Sequence, residues 1–211
     1  MNKMRLLAIG AGAILAATGV SNAAPLPPGS GIAAAPEPFV GAGLPLASIT
    51  STLSNGVVGA SITSQVYGND PANPFGPGFL TFVYTVQNTG ADVLERVNFD
   101  SFAGVGTDAG FGIVTPPPAE PSTVTRSSLV QDGGALVGFN FDDPFGQPTL
   151  QPGATTYLIV QTNSPSFDYG IANIIDGSIA SGQVLTPVAA PEPASLGLLG
   201  IGGLLMLRKR R

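Results

Sequence analysis

Cysteine, histidine and tryptophan are all missing from this 211-residue chain. Without cysteine there is no disulfide framework, so stability must come from packing and hydrogen bonds in any compartment. Without histidine or cysteine, a Ser-His-Asp triad, a Cys-His pair, an ordinary zinc site and the usual haem ligands are excluded. Basic residues are scarce away from the ends: Lys3 and Arg5 stand in front, and Arg208, Lys209, Arg210 and Arg211 behind. Between residues 24 and 190, Arg96 and Arg126 alone face twelve carboxylates, a net charge of −10 with no lysine. So acidic a body repels phosphate backbones and anionic lipid, which argues against nucleic acid as a partner.

The sequence does have apolar residues (44%), 29 glycines and 20 prolines. A core can form, but turn residues interrupt the chain too often for a helical bundle. The length suits one domain once the ends are set aside. Short β-patterned runs occur at 60–67, 79–87, 93–99, 123–130, 136–141, 155–162, 170–175 and 178–185. In the clearest, Leu80, Phe82, Tyr84 and Val86 alternate with Thr81, Val83, Thr85 and Gln87. Asn88-Thr89-Gly90-Ala91-Asp92 suits a hairpin turn from this run to 93–99, and Asp176-Gly177 suits a second hairpin. The expected fold is all-β: a single antiparallel β-sandwich of Greek-key or immunoglobulin-like type over 59–187. It follows a Pro/Ala/Gly/Ser-rich leader at 24–58, expected to pack loosely.

The ends carry addresses. Residues 1–23 combine a basic start, an apolar stretch from Leu6 to about Val20, and Ser21 and Ala23 at the −3 and −1 positions of a secretory signal peptide. Cleavage by signal peptidase is expected after Ala23 in preference to Ala24, which would leave Pro25 directly behind the cut. At the other end, Pro191-Glu192-Pro193 precedes an apolar helix at 194–207 and the basic cluster Arg208, Lys209, Arg210 and Arg211. The prolines keep the tripeptide extended and accessible to a processing enzyme. The basic cluster stays cytoplasmic by the positive-inside rule, which leaves the body outside. The apolar segment has 14 residues, about 21 Å of helix against roughly 30 Å of hydrocarbon, a short anchor suited to temporary residence in the inner membrane.

This three-part tail, over about 188–211, resembles the PEP-CTERM sorting signals of Gram-negative bacteria. The resemblance implies an exosortase-type enzyme that cuts near the motif and releases the protein to the cell surface or the extracellular polysaccharide matrix. Ala190 stands where family members often carry valine. A second copy, Pro36-Glu37-Pro38, lacks the apolar helix and basic cluster and is read as part of a linker.

The body offers little chemistry. Paired carboxylates, as in glycosidases, remain available, with Asp142, Asp143, Asp168 and Asp176 as the participants to test. In acidic loops beside proline and glycine these read first as solvated charges. No cofactor is expected. Calcium, which prefers hard oxygens, is the alternative, at Asn69-Asp70 or Asp142-Asp143, although the D-x-D-x-D-G spacing is absent. Tyr67, Phe75, Phe79 and Tyr169 are candidates for a sugar-stacking platform, against the commoner reading of strand aromatics as core. Ice binding, known for some proteins with this type of tail, lacks a regular Thr-x-Thr repeat here. The reading is a non-enzymatic surface or matrix protein, structural or adhesive, with the processing enzyme, signal peptidase and matrix polysaccharide as partners. The rivals are a carbohydrate- or calcium-binding adhesive module and a two-carboxylate carbohydrate-active enzyme.

Overall fold

The computed structural model describes residues 25–37, 39, 43–112, 119–141 and 150–189. The expected signal peptide with Ala23 and Ala24, the motif Pro191-Glu192-Pro193, the segment 194–207 and the cluster Arg208, Lys209, Arg210 and Arg211 lie outside them. So do Asp142 and Asp143. Among the described residues no helix is long and apolar enough to cross a membrane.

Among the described residues eleven strands form: β1 (Gly31–Ala33), β2 (Ala47–Ser54), β3 (Gly59–Tyr67), β4 (Thr81–Asn88), β5 (Arg96–Phe99), β6 (Thr107–Phe111), β7 (Thr123–Arg126), β8 (Val137–Asn140), β9 (Thr155–Thr162), β10 (Phe167–Asp176) and β11 (Ser178–Pro187). One helical turn, α1 (Leu129–Asp132), interrupts them. They make two antiparallel sheets, ordered β1-β7-β8-β5-β10-β11 and β2-β3-β4-β9-β6.

Alternation sets the inner faces. From the second sheet, Phe82, Tyr84, Val86, Leu158 and Val160 enter a core shared with Val97, Phe99, Phe139, Ile174 and Val184 of the first. The Tyr84 and Phe99 rings stack across the interface with centroids 3.9 Å apart. The Tyr84 hydroxyl, buried with its ring, donates to the Leu185 carbonyl at 2.8 Å. Each such side chain contributes about 1.5–3 kcal/mol by leaving water.

The expected hairpin between 79–87 and 93–99 does not form. β4 pairs with β3 and β9, whereas β5 lies in the other sheet between β8 and β10. Both strands present an apolar face, and these faces meet across the core, so the connection crosses the sandwich. Asn88 holds the crossing: its amide donates to the Asp92 and Leu150 carbonyls, and its carbonyl oxygen accepts from Gly90 N–H. The Asp176-Gly177 hairpin does form, with Asp176 opposite Ser178 and Gly177 at φ 58°.

Residues 25–58, expected as a leader, supply β1 and β2. Leu26 is fully buried and its N–H donates to the Thr107 carbonyl. In β2, Ala47, Ile49 and Leu53 alternate toward the core; the small and polar residues between them mask this period in the sequence. Pro36 and Glu37, read in the sequence as part of a linker, also dock. Pro36 bridges Phe111 in parallel, with Glu37 N–H to Phe111 O at 2.9 Å and Phe111 N–H to Ala35 O at 3.1 Å. Proline at such an edge sacrifices no ladder bond.

Candidate functional site

At one end of the second sheet, cross-strand register places Thr81 of β4 opposite Gln161 of β9, and Gln161 opposite Asp108 of β6. Their sequence neighbours Phe82, Val160 and Ala109 belong to the core, so this row belongs to the outer face. It is nonetheless buried. The β3–β4 connection brings Asp70 and Asn73 onto it. Asp70 Oδ2 accepts from Thr81 Oγ1 at 2.9 Å and from Gln161 Nε2 at 3.0 Å, and Asp70 Oδ1 accepts from Ala72 N–H. Asn73 Nδ2 donates to the Leu80 and Thr162 carbonyls and, at 3.3 Å, to Thr81 Oγ1. One carboxylate oxygen thus joins a hydroxyl to a primary amide, away from water.

Beside this row, which already holds Asp70 and Asp108, lies a third buried carboxyl, Glu37 on the docked strap. Its Cγ lies where a side chain on Gly110 would project, so glycine at that position permits the close approach. Glu37 and Asp108 are 4% and 1% exposed, and among the described residues Glu37 Oε1 and Asp108 Oδ1 have no hydrogen-bond partner. Burial, then the charge of Asp108, pushes the Glu37 carboxyl up to about 8. Burial pushes Asp108 up to about 6, partly offset by the Ala109 backbone N–H. Near neutrality Glu37 therefore keeps its proton while Asp108 is largely ionised. Two titratable groups held at different pKa values are a common basis for acid–base roles.

Arg126 is buried, and among the described residues no carboxylate pairs with it. Its five N–H groups reach the Gly134, Leu26, Phe102 and Val105 carbonyls and the Thr107 hydroxyl. All its donors are committed to the fold, and none remains for an anion.

The other expected participants that lie within the described residues do not converge. Asp168 and Asp176 lie near opposite ends of β10, roughly 26 Å apart along an extended strand, too far to flank one glycosidic bond. Tyr67 lies on β3, packed edge-on against Phe39, whereas Tyr169 is 58% exposed on β10 in the other sheet. The four aromatics therefore form no single platform. Among the described residues no group of three or more acidic, histidine or cysteine side chains is placed to hold a metal ion. Asp70 was a candidate in the sequence, as a calcium ligand. Thr81, Gln161, Asp108 and Glu37 were not, because register and strap docking assemble them and no linear spacing marks them.

Comparison with family models, with curated proteins and with solved structures finds no match to this chain.

Proposed function

We propose that this chain is an exported Gram-negative protein, sorted by a PEP-CTERM-like tail to the cell surface or matrix, where its β-sandwich serves a structural or adhesive role. The observation that carries the reading is the tail itself: Pro191-Glu192-Pro193, then an apolar segment, then four terminal basic residues. The fold is compatible with it. β11 ends at Pro187, just ahead of the motif, and the buried Leu26 lies just behind the expected signal cleavage at Ala23. Both processing points would flank the sandwich without cutting it. In the finer fold assignment, chain crossings such as β4 to β5 favour a Greek-key or immunoglobulin-like sandwich.

Signal peptidase and an exosortase-type enzyme are the proposed processing partners, the inner membrane a temporary one, and matrix polysaccharide the proposed surroundings. Replacing Pro191, Glu192 and Pro193 together by alanine tests the assignment. The variant is expected to stay in the membrane fraction with its tail attached, and release equal to the unaltered protein would overturn the reading.

A second reading, carbohydrate binding, is favoured by one feature. Tyr169 and Ile171 are exposed on the outer face of β10, beside Ser181 and Gln183 of β11, around a hollow of about 330 Å³. An aromatic face with adjacent amide and hydroxyl groups suits a neutral sugar. Matrix polysaccharide that raises the melting temperature of the protein, but not of a Tyr169→Ala variant, would support it. Equal shifts, or none, would remove it.

A further inference from the structure

We propose that Thr81 and Gln161 are joined by an intramolecular ester that the chain forms on itself, with Asp70 as the base. A hydroxyl is a weak nucleophile until a base takes its proton. Here Asp70 Oδ2 accepts the Thr81 hydroxyl hydrogen at 2.9 Å and holds the Gln161 amide nitrogen at 3.0 Å. The Asn73 amide donates to the same Thr81 oxygen, so that oxygen is fixed from one side and its proton directed to the carboxylate on the other. Thr81 and Gln161 are directly paired across β4 and β9, which sets their Cβ atoms about 5 Å apart. Sheet pairing therefore supplies the proximity that an uncatalysed reaction lacks.

The step balances without a co-reactant. The proton passes from Thr81 Oγ1 to Asp70 Oδ2 as a bond forms from Oγ1 to Gln161 Cδ. The Cδ–Nε2 bond then breaks while Asp70 returns the proton to the departing nitrogen. Ammonia leaves, an ester remains, and Asp70 ends as it began. Asp108 is the other cross-strand neighbour of Gln161, so the Gln161 position is held in register from both sides. Thr81 and Gln161 are 0% and 1% exposed, so water that would hydrolyse the ester is kept out. A chain without cysteine would thereby gain a covalent tie between two core strands.

The intact mass of the purified full chain, with its termini assigned, tests the proposal. The protein is expected to be lighter than its sequence by one ammonia. A digest at acidic residues should yield one linked pair of peptides containing Thr81 and Gln161. Thr81→Val and Asp70→Asn should have the full sequence mass, and Thr81→Ser should regain the link. Full mass in the unaltered protein, with Thr81 and Gln161 on separate unmodified peptides, would overturn the proposal, as would ammonia loss mapped to another residue. An Asp70→Asn protein that still carried the link would overturn the role of Asp70. The measurement on the unaltered protein stands whether or not the variants fold.

Discussion

Arg126 illustrates how one residue can hold several segments in a chain short of cations. Its guanidinium gathers carbonyls from the N-terminal strap at Leu26, from the 102–105 turn and from Gly134, together with the Thr107 hydroxyl. Burial lowers its pKa, but five charge-assisted bonds repay the loss of water. In Arg126→Met those acceptors lose their donors, at about 1–3 kcal/mol for each left dry. We expect a loss of at least about 3 kcal/mol in urea unfolding, and a loss under 1 kcal/mol would contradict this account. Glu37 sets the pH response. Its folded pKa, about 8 against the ordinary 4.5, means the folded state binds more protons than the unfolded chain between these values. Stability from this group is therefore fully present below about 4.5 and is lost as pH rises through about 8. Asp108 acts with the same sign up to about 6. Glu37→Gln should flatten the decline in melting temperature between pH 5 and 8, and an unchanged slope would show that other groups cause it.

Among the elements, the strap at 34–37 depends on Gly110. A Cβ there would collide with the Ala35 carbonyl and the Glu37 side chain, so Gly110→Ala should lift the strap from β6. Hydrogen exchange should then quicken at Glu37 and Phe111, whose N–H groups close the two strap bonds; unchanged protection would show that the strap tolerates the methyl group. The strap was illegible in the sequence because proline reads as an interruption, yet at a sheet edge its missing donor costs nothing. β6 was equally hidden, since Thr107-Asp108-Ala109-Gly110-Phe111 has a glycine and a carboxylate where apolar alternation would be sought. β9 and the β10–β11 hairpin were legible, the first from β-branched and aromatic residues over 155–162, the second from Asp176-Gly177. Partner choice was less so. The alternation of β4 fixes which residues face inward, but not whether the next strand joins its own sheet or the opposite one. The carboxyl–amide cluster shares this limit, because Asp70, Thr81, Asp108 and Gln161 become neighbours only after the strands have taken their register.

For the molecule as a whole, two sheets around one core account for a stable body without disulfides, and the two ends account for its proposed route. The body is acidic and lacks lysine, while the terminal basic cluster faces the other way in charge and in proposed topology. On this account the tail is temporary and the sandwich is what remains at the surface. The most direct measurement compares the protein made in a host with an exosortase-type enzyme and in the same host without it, by intact mass and by location. The account predicts a product ending near Pro191–Pro193 in the matrix or surface fraction when the enzyme is present, and a membrane-held chain with its full tail when it is not. A full-length chain held in the membrane of both hosts would contradict it.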